Sequence, residues 1–405
     1  MKRKLDSLST RERIVLAAVI LSAALLIAVL GRGSSDAPPA PTESAPAAET
    51  PQTSPSPDCA AEAQALLEGM TTREKICQLL ILQPQYLPGA QGDVKALSPA
   101  LTETLRDYPL GGVLLSLENM DNARQLKALT AALRESTDIP MILCLDEEGG
   151  DISRLMVKVG TTKLENMYAY RNKGPGIARL NARSLGADLA AFGFNTDLAP
   201  VADVWSNPEN KVIGERAYSD DFAVAGELVA AAVQGFHDSG TICCLKHFPG
   251  HGSTRTDSHE ETAYVDASLE ELREHEFLPF RKGIDAGADM VMVGHLTVPA
   301  VDPVPATFSK KLVTDYLRGE LGFSGVVITD GLEMAAAGKQ PDGEKALRAL
   351  DAGCDLLLGV YDLPGTVRYL EQALQTGDLS SEALDAHVLR VLTLKLQYGL
   401  SPDVH

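Results

Sequence analysis

The segment Thr241-Ile-Cys-Cys-Leu-Lys-His-Phe-Pro-Gly-His-Gly252 joins an apolar, strand-like run to a charged loop. Pro249 and the two glycines interrupt any regular element after the run, and Asp257 and His259 follow within a few residues. A buried strand that ends in such a loop is typical of a (β/α)8 barrel, which keeps its chemistry at the strand ends. The alternative is a solvated surface loop with ordinary charges.

Seven further apolar runs alternate with segments of helical periodicity, such as residues 122–133, 185–192 and 269–284. Apolar strands that alternate with helices imply a parallel sheet covered on its outer face. Eight such units over roughly 330 residues predict one closed (β/α)8 TIM-type barrel, with an open doubly wound sheet as the alternative. The predicted strands are Ile76–Leu82, Gly112–Leu115, Met141–Leu145, Thr196–Val201, Thr241–Leu245, Met290–Val293, Val326–Ile328 and Asp355–Leu358.

Charged residues and histidines follow five of these predicted strands at or near their ends. The C-terminal ends of parallel barrel strands share one face, so these residues are expected to converge. A single aspartate there could be a helix N-cap, but lysine and histidine are poor caps, so the group as a whole indicates a functional site. Its members are Asp146, Asp203, Lys246, His247, His295 and Asp330.

Four segments resemble those of family 3 glycoside hydrolases, in the single-domain β-N-acetylhexosaminidase branch. They run in the family's order through residues 65–400. The resemblance implies an exo-acting, retaining β-N-acetylglucosaminidase that hydrolyses terminal β-linked GlcNAc. The segments are Asp146-Glu-Glu-Gly-Gly150 with Arg154, Val212-Ile-Gly-Glu-Arg216, Lys246–Gly252 with Asp257-Ser-His259, and Ile328-Thr-Asp-Gly-Leu-Glu-Met334.

The resemblance also implies catalytic roles. A retaining glycosidase needs a carboxylate beneath the anomeric carbon and an acid at the leaving oxygen. By resemblance the carboxylate is Asp330, and the acid is His259, supported by Asp257. An imidazole suits this role because it titrates near neutral pH. The family often has a second aspartate after the nucleophile, whereas this sequence has Gly331.

By the same resemblance, five residues would bind the non-reducing sugar through hydrogen bonds to its hydroxyl and carbonyl oxygens. Each of them could instead belong to an internal ion-pair network. The five are Asp146, Arg154, Arg216, Lys246 and His247.

No cofactor or metal is predicted. His247 and His251 lie four residues apart, but Pro249 and Gly250 exclude the helical spacing that a metal site would use. The sequence has no HExxH motif, no paired CxxC, no P-loop and no GxGxxG after a strand. A formal net charge of −19 argues against nucleic acid as a partner.

Two other functions remain open. A β-glucosidase of the same family typically carries a further C-terminal domain, for which the chain leaves no room after the helix-like residues 381–398. A membrane-tethered sugar-binding protein without catalysis is the other alternative. The presence of Asp330, His259 and Asp257 favours an enzyme over a binding protein.

The N-terminal residues predict a membrane anchor. Residues 14–30 are apolar or small with one serine, and residues 1–13 carry more basic than acidic side chains. This pattern predicts a transmembrane signal anchor with a cytoplasmic N-terminus, and a cleaved signal peptide is the alternative. Residues 31–58 are rich in Pro, Ala, Ser and Thr and predict an extended linker. The catalytic domain, residues 59–405, would then lie outside the cell membrane and act on peptidoglycan-derived fragments.

Overall fold

The computed structural model describes residues 57–255 and 263–402, all within the compact unit Pro51–His405. The described α-helices are α1 (Pro57–Gly69), α2 (Thr72–Gln78), α3 (Pro99–Asp107), α4 (Ala123–Arg134), α5 (Arg154–Val159), α6 (Pro175–Ala191), α7 (Phe222–Asp238), α8 (Leu269–Glu274), α9 (Phe277–Asp285), α10 (Asp342–Ala352), α11 (Leu363–Thr376) and α12 (Ser381–Gln397). A π-helix spans Lys311–Glu320.

The described β-strands fall into one large sheet and two small ones. They are β1 (Leu80–Leu82), β2 (Gly112–Leu114), β3 (Ile142–Leu145), β4 (Glu147–Gly149), β5 (Ile152–Ser153), β6 (Thr196–Asp197), β7 (Ile242–Phe248), β8 (Ala263–Tyr264), β9 (Met290–Val293), β10 (Leu296–Val298), β11 (Asp302–Pro305), β12 (Val326–Thr329) and β13 (Leu357–Leu358). Strands β4 and β5 form a hairpin, and β8, β10 and β11 form a separate three-stranded sheet.

The large sheet is a parallel eight-stranded barrel in the order β1, β2, β3, β6, β7, β9, β12 and β13. Leu80 of β1 pairs with Leu357 of β13, and a parallel bridge between Ile328 and Leu356 completes the ring. The strand residues are buried almost throughout because they lie between the barrel interior and the helices outside it. The predicted barrel is therefore confirmed, and the doubly wound alternative is wrong.

Several predicted elements have other bounds in the structure, and two of these differences have local reasons. The first strand spans Leu80–Leu82 rather than Ile76–Leu82, because α2 continues to Gln78. A capping box starts that helix: Glu74 N donates to the Thr71 hydroxyl, and Thr71 N donates to the Glu74 carboxylate. The helix predicted over 269–284 is divided into α8 and α9 at His275, whose φ of −120° and ψ of −86° are not helical.

The predicted membrane anchor at 14–30 and the cytoplasmic segment 1–13 lie outside the described residues, as does most of the predicted linker. Residues 57 and 58, which were assigned to the linker, already belong to α1. In the part of the chain that the structure describes, no helix has both the length and the apolar character needed to cross a bilayer.

A lysine is buried between α12 and the barrel and hydrogen-bonds to an amide side chain. Lys395 of α12 is 1% exposed, and its Nζ donates to Gln78 Oε1 at 2.7 Å. The Gln78 amide nitrogen in turn donates to the Pro109 carbonyl at 2.8 Å. Burial lowers the pKa of Lys395 from 10.5 to about 7, because the charged form loses its hydration.

The depressed pKa predicts a pH-dependent stability. Between about pH 7 and pH 10 the unfolded chain keeps a proton that folded Lys395 loses, so stability should rise with pH, by at most about 1.4 kcal/mol per pH unit. Lys395→Met should remove this slope, and Lys310→Met, at an exposed lysine, should keep it. Urea unfolding across this pH range measures both, and parallel curves for wild type and Lys395→Met would contradict the prediction.

Candidate active site

The C-terminal ends of the barrel strands carry most of the residues predicted for the site. Asp146 directly follows β3, Lys246 and His247 lie in the last part of β7, and Asp330 directly follows β12. Arg216 lies in the long connection after β6. Because these strand ends share one face of a parallel barrel, side chains distant in sequence meet at its mouth.

Four charged side chains meet there, and we call Asp146, Glu148, Arg216 and Lys246 the charge cluster. Arg216 donates to both oxygens of Glu148, at 2.8 and 2.7 Å. Lys246 Nζ lies 2.6 Å from Glu148 Oε1 and 2.5 Å from Asp146 Oδ1. The side chains of Lys246 and Glu148 are 2% and 3% exposed, whereas that of Asp146 is 29% exposed. The side chain of Asp146 is therefore the most solvent-exposed in the charge cluster.

The buried members of the charge cluster stay charged because their opposite charges stabilise one another. Burial alone would raise the pKa of Glu148, but the attraction of Arg216 and Lys246 outweighs it and holds the pKa well below its usual value. Burial likewise opposes the charge of Lys246, yet Asp146 and Glu148 raise its pKa above the ordinary range. Loss of one member would leave another charge buried without its partner, which is a costly state.

A second buried carboxylate organises the histidine loop. Asp203 Oδ2 lies 2.7 Å from His247 Nδ1, and Asp203 Oδ1 accepts the His251 backbone N–H at 2.6 Å. Burial alone would raise the pKa of Asp203, but His247 and the donated hydrogen bonds hold it below its usual value. Since a carboxylate only accepts, His247 must carry its proton on Nδ1, and this fixes the orientation of the ring.

The loop that carries Arg216 is fastened to the same region by a buried amide. Asn210 Nδ2 donates to the His251 carbonyl at 2.8 Å. Its Oδ1 accepts the backbone N–H groups of Val212 and Ile213, both at 2.9 Å. This side chain therefore holds the two loops in a fixed relation, so that Arg216 reaches Glu148.

Asp330 is partly buried and held by backbone contacts. Its own N–H donates to the Val293 carbonyl at 2.9 Å, and the Gly331 N–H donates to its Oδ1 at 2.8 Å. The fully buried His295 lies behind this segment, with Nε2 2.8 Å from the Gly331 carbonyl. His295 thus supports the backbone next to Asp330.

The structure accounts for the glycine at 331. A Cβ atom there would lie 2.7 Å from both carboxylate oxygens of Glu333. The Glu333 side chain therefore occupies the space that an aspartate at 331 would need.

Two neighbouring glutamates have opposite environments. Glu148 is paired with cations, whereas Glu147 accepts the backbone N–H groups of Leu155 and Met156 at the start of α5. Burial raises the pKa of Glu147 to about 7. Asp197, fully buried beside it, accepts the Glu147 backbone N–H at 3.0 Å, and burial raises its pKa well above the usual range.

Three further predicted residues stay predictions. Arg154 is the first residue of α5, and its charge acts on Glu118 and Glu147. A hydrogen bond from Ser116 lowers the pKa of Glu118, and the charge of Arg154 adds to this effect. Asp257 and His259 lie outside the described residues.

The sequence did not identify Glu148, and it gave Asp203 no role. Glu148 belongs to the quoted segment 146–150, but the sequence offers no signal to separate it from Glu147, since both are acidic and both are buried. The sequence places Asp203 just beyond a predicted barrel strand, but it does not show which residue Asp203 binds.

One group of possible metal ligands lies away from the charge cluster, next to the N-terminal ends of β7 and β9. His237, Cys243 and Asp289 each offer a ligand atom, all within 4.8 Å of one another. His237 Nε2 lies 3.2 Å from Asp289 Oδ2, and Tyr398 donates to Asp289 Oδ1 at 2.7 Å. These hydrogen bonds account for the arrangement without an ion.

The charge cluster predicts a large cost for removing its shared carboxylate. Glu148→Gln should lower the free energy of unfolding at pH 7 by about 3 kcal/mol, because Arg216 and Lys246 stay buried without compensation. Since the pKa of Glu148 is depressed in the fold, this deficit should shrink as the pH falls below about 4.

The matched control is Glu371→Gln, which breaks the exposed pair with Arg73 and should cost less than about 1 kcal/mol. Chemical denaturation measures both variants. Equal, small losses would show that the charge cluster contributes no more than a surface ion pair.

Comparisons with known proteins agree over most of the chain. Residues 71–394 match the glycosyl hydrolase family 3 N terminal domain. Beta-hexosaminidase A of Pseudoalteromonas piscicida is 33% identical, over 83% of this chain and 62% of that protein. The beta-hexosaminidase of Stenotrophomonas maltophilia (strain K279a) is 36% identical, over 70% of this chain and 87% of that protein.

A solved structure shows the same likeness. The family 3 beta-N-acetylglucosaminidase from Paenibacillus sp. str. FPU-7 superimposes with a TM-score of 0.76 at 34% identity, covering 82% of this chain and 63% of that one. The chain thus spans under two thirds of the length of this protein and of the Pseudoalteromonas relative. The family match over residues 71–394, together with the barrel and the residues at its mouth, shows that the chain belongs to glycosyl hydrolase family 3.

Proposed function

We propose that this protein is an exo-acting, retaining β-N-acetylglucosaminidase that hydrolyses terminal β-linked GlcNAc. The observation that carries the proposal is the position of Asp330, at a barrel strand end on the same face as the charge cluster. Family membership supports glycoside hydrolysis. Relatives at 33% and 36% identity that are named beta-hexosaminidases support an acetamido sugar over glucose.

The charge cluster is suited to hold the non-reducing sugar. Lys246 and Arg216 are fixed by buried carboxylates, so neither side chain loses further conformational freedom when a hydroxyl binds. Asp146 would accept hydrogen bonds from sugar hydroxyls. His247, with its ring fixed by Asp203, would add a further contact. Arg154, at the start of α5, is the fifth proposed sugar ligand.

The proposed mechanism has two displacements at the anomeric carbon. The Asp330 carboxylate forms a bond to this carbon while the glycosidic bond breaks, and His259 gives its proton to the departing oxygen. Water then attacks the anomeric carbon, His259 takes a proton from it, and Asp330 is released. The roles of His259 and Asp257 rest on the family resemblance, and the Gly331 N–H that binds Asp330 Oδ1 supports the orientation of the nucleophile.

We also propose where the enzyme works. The apolar residues 14–30 and the basic residues before them support a signal anchor, with the catalytic domain outside the cell membrane. An enzyme held there would meet peptidoglycan-derived fragments that end in GlcNAc. A β-glucosidase of the same family, or a sugar-binding protein without catalysis, would replace this proposal if GlcNAc release were absent.

The nucleophile is tested by Asp330→Asn on aryl β-GlcNAc and aryl β-glucoside. Wild type should cleave the GlcNAc substrate far faster, and the variant should lose several orders of magnitude in kcat, because the covalent step is removed. The fold should remain, since the change is nearly isosteric. Asp315→Asn, at an exposed aspartate, is the control and should retain activity.

A fluorinated, mechanism-based sugar should label Asp330, as read by mass spectrometry of peptides. Label on another carboxylate would overturn the assignment. Faster cleavage of the glucoside would favour the β-glucosidase alternative, and absence of turnover on both substrates would favour the binding protein.

The acid role of His259 predicts a dependence on the leaving group. His259→Ala should lose far more activity on a natural disaccharide than on a dinitrophenyl glycoside, whose aglycone departs without protonation. Asp257→Ala should show a smaller loss of the same kind. Steady-state kinetics on both substrates measure this, and equal losses across leaving groups would mean that His259 only positions the substrate.

The proposed anchor predicts that the full-length protein sediments with membranes. Added protease should release an active domain by cutting between about residues 31 and 56, because an extended linker exposes its backbone to proteases. Recovery of most activity in a naturally soluble, N-terminally trimmed form would show cleavage of a signal peptide instead.

A further inference from the structure

Two tyrosines stand together at the mouth of the barrel with their rings exposed. Tyr86 follows β1 by four residues and Tyr361 follows β13 by three, and these two strands pair with each other. The ring centroids lie 4.6 Å apart at an interplanar angle of 68°, an edge-to-face contact. Tyr86 is 41% exposed and Tyr361 is 51% exposed. Together they form an aromatic surface at the same end of the barrel as Asp330.

The backbone of each tyrosine is held in place. The Tyr361 N–H donates to Asp342 Oδ2 at 2.7 Å, and Asp342 lies 3.0 Å from Lys345 Nζ. Tyr86 ends a short 3-10 helix, and its N–H donates to the Gln83 carbonyl at 3.1 Å. The rings therefore project from fixed positions, which reduces the entropy lost when a ligand binds to them.

The Glu333 carboxylate lies close both to Gly331, next to the proposed nucleophile, and to Gly359, two residues before Tyr361. Glu333 lies three residues after Asp330, and its carboxylate occupies the space above Gly359, where a Cβ would lie 1.8 Å from Oε2. Gly359 directly follows β13 and precedes Tyr361 by two residues. Burial, followed by Tyr86 and then Glu333, raises the pKa of Tyr361 to about 12. The phenol is thus a neutral hydrogen-bond donor at physiological pH.

We propose that Tyr86 and Tyr361 form a subsite for the sugar ring on the leaving side of the substrate, a second pyranose beyond the terminal GlcNAc. This proposal rests on the proposed function. The apolar C–H face of a pyranose suits an exposed aromatic ring, and phenol hydroxyls can bond its edge. The carboxylate of Glu333 offers an acceptor for a sugar hydroxyl beside the pair.

The position of the pair favours this occupant. In the barrel order, β13 and β1 lie directly beyond β12, the strand that positions Asp330. The charge cluster proposed for the terminal sugar uses residues of β7 and residues that follow β3 and β6, on the opposite side of the barrel. A saccharide that spans from the charge cluster across Asp330 would therefore bring its next ring toward β13 and β1.

The kinetic test compares a substrate with a second ring and one without. On GlcNAc-β-1,4-GlcNAc, Tyr361→Ala and Tyr86→Ala should each lower kcat/KM on the order of tenfold, the effect of one lost stacking contact. On methyl β-GlcNAc, which has no second ring, both variants should stay within about twofold of wild type. Tyr361→Phe should keep most of the disaccharide activity because the ring remains.

Tyr369→Ala is the matched control, because Tyr369 is 38% exposed on the outer helix α11. It should cleave both substrates as wild type does. If Tyr361→Ala lowers kcat/KM equally on both substrates, or does not lower it on the disaccharide, the proposed subsite is wrong. This holds even if GlcNAc hydrolysis is established.

Binding separates failure of the subsite from failure of the proposed function. In the Asp330→Asn background, calorimetry should show disaccharide affinity falling on the order of tenfold with Tyr361→Ala, while GlcNAc affinity stays unchanged. Wild type inactive on both substrates would overturn the proposed function. Disaccharide and GlcNAc affinities that are both insensitive to Tyr361→Ala would overturn the subsite.

Discussion

The mouth of the barrel depends on one buried carboxylate that neutralises two cations. Glu148 binds Arg216 through two hydrogen bonds and lies 2.6 Å from Lys246. Each charge lost its hydration on folding, and that cost is recovered only if all partners are in place. The loop after β3, the end of β7 and the connection after β6 are therefore constrained to one relative geometry. The cations that would face a sugar are oriented before any sugar arrives.

The barrel provides the rigid frame for this arrangement. Its parallel strands form a continuous ring, and buried polar ties extend from it outward. Asp355, just before β13, binds His387 and Arg390 of α12 at 2.8 and 2.7 Å. This network lies at the N-terminal ends of the strands, where such residues serve stability, whereas Asp330 and the charge cluster lie at the C-terminal ends. The two faces of the barrel thus have separate roles.

Much of this architecture could be predicted because its signals are local. Eight apolar runs separated by amphipathic segments defined the barrel, and strand-end positions gathered Asp146, Lys246 and Asp330 on one face. The capping box of Thr71 and Glu74 is also present in the sequence, but the predicted strand Ile76–Leu82 overlaps the last residues of the helix that it starts. The division at His275 also has a signal, because Pro279 lacks the N–H that would bond to the His275 carbonyl in a continuous helix. The apolar periodicity of residues 269–284 continues across it, so the periodicity alone predicted one helix.

The pairings inside the site could not be predicted, because they depend on distances between loops. Glu147 and Glu148 are adjacent and chemically identical. Yet the Glu147 carboxylate accepts hydrogen bonds from the N-terminus of α5, whereas the Glu148 carboxylate pairs with two cations. The position of the Glu333 carboxylate could not be predicted either. It lies where a side chain at position 331 would begin.

The stereochemistry of the first product tests the proposed chemistry at Asp330 most directly. Proton NMR can follow an aryl β-GlcNAc during the first minutes of hydrolysis, before the free sugar equilibrates between its anomers. Two displacements at the anomeric carbon predict that β-GlcNAc appears first and α-GlcNAc follows only by mutarotation. Initial release of α-GlcNAc would contradict the assignment of Asp330 as a nucleophile, because a single displacement by water inverts the configuration.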